Sequence, residues 1–167
     1  LKNRPTVTEI AKAREAWTHL VRAVWTLSPE PPARAYPAMA YEPNAKKIVL
    51  FGGEGVHGAY NDTWVYDCAA RTWTEIVPPL APSPRCGAGM VATGGRIYLA
   101  GGFKPRGSMA YIAGLWERMP VDVWEFDLDA GKWTLLKAGE GKAKSTWMQP
   151  TVNLKASEDG TSVSWSG

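Results

Sequence analysis

The sequence predicts an all-β fold in which a four-stranded antiparallel meander is repeated. Three observations carry this. First, the chain repeats itself. Gly52-Gly53, after the apolar run Ile48-Val49-Leu50-Phe51, returns as Gly101-Gly102 after Ile97-Tyr98-Leu99-Ala100. Trp64, Asp67 and Trp73 return as Trp124, Asp127 and Trp133, and the additional residues of the second unit all fall in one loop. Second, TWVYD and VWEFD alternate apolar and polar positions at the two-residue period of a half-buried strand. Third, tight turns (Cys68-Ala69-Ala70-Arg71 and Leu128-Asp129-Ala130-Gly131) separate these strands from their successors, and strand ends are rich in Gly, Pro, Asp and Ser.

Taken in order, residues 1–24 read as an N-terminal helical segment. Thr6 with Glu9 forms a capping box, and Ile10, Ala13, Trp17, Leu20, Val21 and Val24 follow helical spacing. A competing register aligns Ala-Trp-Thr-His-Leu-Val at 16–21 with Thr-Trp-Thr-Glu-Ile-Val at 72–77, as strand. Residues 25–33 are expected to hold the outer strand of a preceding unit, beginning around Val24-Trp25-Thr26-Leu27. The first complete unit is 34–77. The second is 78–137, with a long inserted loop at 103–120. Residues 138–167 start a further unit, with strands expected over Thr146–Leu154 and Thr161–Trp165.

The double glycine after an apolar strand, the aromatic-acid pair Tyr66-Asp67 or Phe126-Asp127, and the tryptophan six residues after that Asp resemble kelch repeats, over about residues 34 to 137. The resemblance implies a kelch-type β-propeller fragment within the galactose-oxidase central-domain-like superfamily: two complete four-stranded blades, parts of two flanking blades and a short N-terminal helix. Many kelch units carry a His near the first strand; here Ala-Arg-Ala-Tyr-Pro-Ala and Pro-Arg-Cys-Gly-Ala-Gly stand instead. A closed ring needs about 4 to 8 blades. The rest of the propeller, from the same polypeptide or other chains, is therefore expected to complete it.

One rival motif is removed by this register. Gly53, Gly55 and Gly58 satisfy the G-x-G-x-x-G spacing of a dinucleotide-binding turn. That turn must open a helix whose amides receive the pyrophosphate. Gly58 instead leads into Ala59-Tyr60-Asn61-Asp62 and an alternating strand, and only the glycine pair survives in the second unit. These glycines are architectural.

Composition narrows the function classes. Nineteen basic against 16 acidic residues give a net charge of only +3, with no basic cluster, so a nucleic-acid surface is not expected. No apolar run is long enough to span a bilayer. The two cysteines, Cys68 and Cys86, exclude a four-cysteine zinc site and leave open whether they pair. His19 and His57 are the only histidines, so a multi-histidine metal site is impossible within this chain. No nucleophile elbow is present, and the copper-radical oxidases that share the propeller need two His, two Tyr and a Tyr–Cys crosslink that cannot be matched here. No catalytic residue, metal ligand or cofactor is expected. The repeated aromatics read as blade core. Asn61-Asp62-Thr63 is an N-glycosylation sequon, of consequence only in a secreted protein.

Binding is the remaining class. In an up-and-down blade, the turn after strand two and the link from strand four to the next blade leave on the same face. The long loops of this chain are of those two kinds, and loops on a rigid scaffold carry binding residues. His57, Tyr60, Lys104, Arg106, Tyr111, Trp116 and Arg118 lie on them. Arg34 and Arg85, ahead of the first strands, are expected to point toward the central channel, to meet an anionic ligand or to satisfy neighbouring loop carbonyls. The expected function is a non-catalytic interaction scaffold for a protein or carbohydrate partner. The alternative is the structural propeller portion of a larger enzyme whose active site lies elsewhere.

Overall fold

The structure, a computed structural model, describes residues 5–25, 29–105, 116–119, 121–139, 153–157 and 162–166. Helix α1 spans Val7–Trp25. Its start is the expected capping box: the Thr6 amide donates to Glu9 Oε2 (2.7 Å) and the Glu9 amide to Thr6 Oγ1 (3.3 Å). The backbone and side-chain donors of Thr6 hold the Glu9 carboxyl below its ordinary pKa. The helix runs through Val24 and Trp25, where an outer strand was expected, and Pro29 to Ala33 form no strand. Apolar residues at helical spacing continue as far as Val24, and no turn residue interrupts them before Ser28-Pro29. Thr26 and Leu27 lie outside the described residues.

Two four-stranded antiparallel sheets come next along the chain. In the first, β1 (Ala38–Glu42), β2 (Lys47–Phe51), β5 (Thr63–Asp67) and β6 (Thr72–Ile76) pair in the order β1-β2-β5-β6. In the second, β7 (Gly89–Thr93), β8 (Arg96–Ala100), β11 (Val123–Asp127) and β12 (Lys132–Lys137) pair in the order β7-β8-β11-β12. The stretches between second and third strands are not plain loops. Each opens with a small ribbon: β3 (Glu54–Gly55) with β4 (Gly58–Ala59), and β9 (Phe103–Pro105) with β10 (Trp116–Arg118). A hairpin of β13 (Asn153–Ala156) and β14 (Val163–Ser166) stands where the third blade was expected to start. The expected strand residues 146–152 lie outside the described residues. The first strands β1, β7 and β13 pack side by side, which is how blades sit around a propeller axis.

Register places the tryptophans. Residues directly opposite across antiparallel strands share a sheet face. Ala38, Ala40, Val49, Phe51 and Val65 form the face of the first blade that meets Ile97, Leu99, Trp124, Phe126 and Trp133 of the second in one buried core. Trp133 is fully buried between Phe51 (ring centroids 5.3 Å) and Phe126 (5.0 Å). Its indole N–H donates to Thr63 Oγ1 of the first blade at 2.9 Å, so both buried polar groups are satisfied. A residue of one blade's outermost strand thus anchors the neighbouring blade.

Turn chemistry repeats as well. Asp67 Oδ1 accepts from the amides of Ala69 and Ala70 (both 2.9 Å), and Asp127 Oδ1 from Asp129 (3.0 Å) and Ala130 (2.9 Å). The left-handed residue closing each turn is Arg71 (φ 57) in one blade and Gly131 (φ 61) in the other. The Ala70 and Ala69 amides lower the Asp67 pKa; the Ala130 amide, then the Arg96 guanidinium, lower that of Asp127. Cys68 and Cys86 are both free thiols. Burial pushes the Cys86 pKa up to about 12, so this thiol stays protonated and unreactive in the fold.

Trp133→Ala is expected to cost about 3–5 kcal/mol of stability in urea titration, the value for truncating a buried large aromatic. Trp73→Ala, whose indole is half-buried, should cost less than half as much in the same 167-residue chain. Folding lowers the pKa of Asp67 and Asp127, so their contribution is present above the ordinary carboxylate value of about 4 and fades as pH falls through the lower folded values. The melting temperature should therefore be flat near neutrality and decline below about pH 4. Asp67→Asn with Asp127→Asn should flatten that decline.

Candidate interaction face

The site expected from sequence is the face from which the β3–β4 and β9–β10 ribbons project. The segment leading into each blade runs beneath that blade's own ribbon. Ala35 exchanges two backbone hydrogen bonds with Glu54 (2.8 Å each), and Cys86 does the same with Phe103 (2.9 and 2.8 Å). The glycine pairs make this approach possible. Gly53 (φ +98) would place a Cβ 2.9 Å from Ala35 O, and Gly102 (φ +108) one 3.0 Å from Cys86 O.

Both arginines expected at the channel are committed to the scaffold. Arg34 forms a two-pronged pair with Asp62 (2.6 and 2.7 Å), and also donates to Gly52 O (2.8 Å) and Pro32 O (3.0 Å). Its guanidinium lies 4.4 Å from the Tyr60 ring centroid. Arg85, 1% exposed, repeats the arrangement with Asp122, Gly101 O (3.0 Å) and Ser83 O (3.0 Å), and adds Ser83 Oγ (2.9 Å). All five donors of Arg85 are thereby used. Each aspartate also accepts its blade's indole N–H, from Trp64 or Trp124 at 2.7 Å. Both arginines donate to loop carbonyls, one of the two roles weighed for them, and Arg85 has no N–H left over.

Arg85 does one thing more. Its amide donates to Tyr60 O (3.1 Å) and its carbonyl accepts from the Gly53 amide (2.9 Å), both in the first blade. Its backbone therefore belongs to one blade and its side chain to the next. Gly52 (φ +64) is forced by the same contact, since a Cβ there would run into Arg85 O.

Of the loop-face side chains expected from sequence, those of His57, Tyr60 and Lys104 are among the described residues. Tyr60 is half-buried under Arg34 rather than open. His57, exposed at the β3–β4 tip beside Val56 (80% exposed), and Lys104, exposed on β9 opposite Glu117, are accessible. Trp116 and Arg118 are placed on β10 by backbone pairing alone, and Arg106 and Tyr111 lie outside the described residues. Burial pushes the Glu54 carboxyl pKa up. Among the described residues, no group of three His, Cys, Asp or Glu side chains could hold a metal ion. No helix among them is long and apolar enough to cross a membrane.

Sequence reasoning missed Asp62 and Asp122. The repeat itself held the signal: each stands two residues before its blade's repeated tryptophan, in register with the arginines.

Arg85→Ala should cost about 3–5 kcal/mol, because Asp122 is left without its charge partner. Arg85→Lys should recover little of it, since an ammonium cannot reproduce the two-pronged pair and the carbonyl bonds together. Chemical denaturation of the three proteins measures both.

Comparison with known proteins agrees with this geometry. A segment of 94 residues, 56% of this chain, is 30% identical to the flagellar outer arm dynein alpha chain of Chlamydomonas reinhardtii, of which it covers 2%. The kelch-repeat domain family described as KLHDC2/KLHL20/DRC7 matches residues 7–154. With repeated blades, paired glycines and a family match over most of its length, the chain belongs to the KLHDC2/KLHL20/DRC7 kelch-repeat domain family.

Proposed function

We propose that this kelch propeller segment is a protein-interaction scaffold that engages its partner through the ribbon face. The observation that carries the reading is the division of labour on that face. Arg34, Arg85, Asp62 and Asp122 are engaged in holding the base together, while Val56, His57 and Lys104 are exposed. A rigid base with projecting side chains lowers the ordering cost of association.

A protein partner fits better than a carbohydrate. Sugar recognition favours an open aromatic surface, and of the aromatic residues expected on this face the one whose side chain is described, Tyr60, is covered by Arg34. An exposed valine next to a histidine on one ribbon, with an exposed lysine on the other, suits a protein surface. One relative is, by name, the alpha chain of a flagellar outer arm dynein, and we read a place within a larger protein assembly for this segment as well.

Photo-crosslinking residues placed at positions 57 and 104 of the complete gene product should each capture the same protein partner. The same residue placed at position 132, on the outermost strand, should not. Adducts that are equal at 132, or absent at 57 and 104 while the fold is intact, would contradict the reading.

A further inference from the structure

The two arginine clusters match bond for bond except at one hydrogen. Each Nε donates to the carbonyl two residues upstream, Pro32 O or Ser83 O, at 3.0 Å. Each Nη1 serves a glycine carbonyl and one aspartate oxygen, and each Nη2 serves the other aspartate oxygen. The second Nη2 proton of Arg85 goes to Ser83 Oγ at 2.9 Å. In the first blade proline stands at the equivalent position, 32, and its ring carries no acceptor. The fifth N–H of Arg34 therefore has no hydrogen-bond partner among the described residues, although its side chain is only 4% exposed.

We infer that this N–H is a recognition point at the base of the ribbon face, taking one neutral main-chain carbonyl oxygen from the protein partner. The inference rests on the ribbon-face reading and specifies what that partner presents. A buried donor left without an acceptor costs free energy, so the position favours a chain that brings one. Direction is set in advance, because Asp62 and the Tyr60 ring (4.4 Å) fix the guanidinium. By the match to Ser83, the N–H is aimed past residue 32, and Pro32 and Ala33 are both exposed.

Charge selects the acceptor. Asp62 already compensates Arg34 and lies 2.7 Å from the same Nη2. A carboxylate or phosphate on the remaining proton would be repelled by it, where little water screens the two. A neutral carbonyl avoids that repulsion and still gains a charge-assisted bond. The second blade meets the same donor internally with a neutral oxygen, the Ser83 hydroxyl.

Two substitutions separate the acceptor from the loss of proline. Pro32→Ser supplies the hydroxyl that Ser83 supplies in the second blade, and Pro32→Ala supplies none. With the photo-crosslinking residue at position 57 of the complete gene product, Pro32→Ser should lower the partner adduct about fivefold, the worth of one hydrogen bond. Pro32→Ala should leave it unchanged. In the same protein with isotope-labelled arginine, N-methylacetamide should shift the Arg34 guanidinium resonance in the parent and in Pro32→Ala, but not in Pro32→Ser. Acetate should shift it less. Equal adducts in Pro32→Ser and the parent, or an Arg34 resonance that ignores N-methylacetamide, would overturn the inference and leave the ribbon-face reading standing. A larger shift with acetate would overturn it in favour of an anionic acceptor. Absence of any adduct in the parent would strike the ribbon-face reading, and the partner role of this N–H with it.

Discussion

One residue holds two blades in register. Arg85 gives its backbone to the first blade, through Tyr60 and Gly53, and its guanidinium to the second, through Gly101 and Asp122. Neither half can move without stretching the other. An antiparallel blade has two faces, and covering them needs neighbours set at a fixed angle. Hydrophobic contact between Phe51 and Trp133 favours closeness without specifying direction. The Arg85 bonds supply direction, and Gly52 has no side chain because this strut passes over it.

That constraint explains why the same residues recur. An arginine before the first strand, a glycine pair after the second, and an aspartate two residues ahead of a tryptophan form one hydrogen-bonded unit in each blade. The unit lies at the base of the ribbon face, so whatever projects there stands on a surface satisfied within itself but for one N–H of Arg34. Buried polar groups are tolerated at such density only when each finds a partner, and here the others do.

Much of this was legible in the sequence, for a physical reason. Strand alternation, turn aspartates and glycines at positive φ are local requirements, and they leave local signatures: the tight turns at 68–71 and 128–131 and the meander order came from them. The pairing of Arg34 with Asp62 spans 28 residues and that of Arg85 with Asp122 spans 37. Such contacts are written in no local pattern and emerge only from comparing two copies. The ribbons read as loops in the sequence because two or three paired residues, as in Glu54–Gly55 with Gly58–Ala59, are too few to show a period. Val24-Trp25 is expected from sequence to begin the outer strand of a preceding unit, but it continues the helical spacing of α1, and that spacing decides its conformation in this chain.

Native-state hydrogen exchange at the amides of Gly53 and Arg85 tests the strut most directly. If Arg85 couples the blades, both amides should exchange only with global unfolding, at the same free energy as the amides of Val49 and Leu99 in the central strands. Exchange at Gly53 and Arg85 that is orders of magnitude faster, while the strands stay protected, would show that the blades are held by their apolar contact alone.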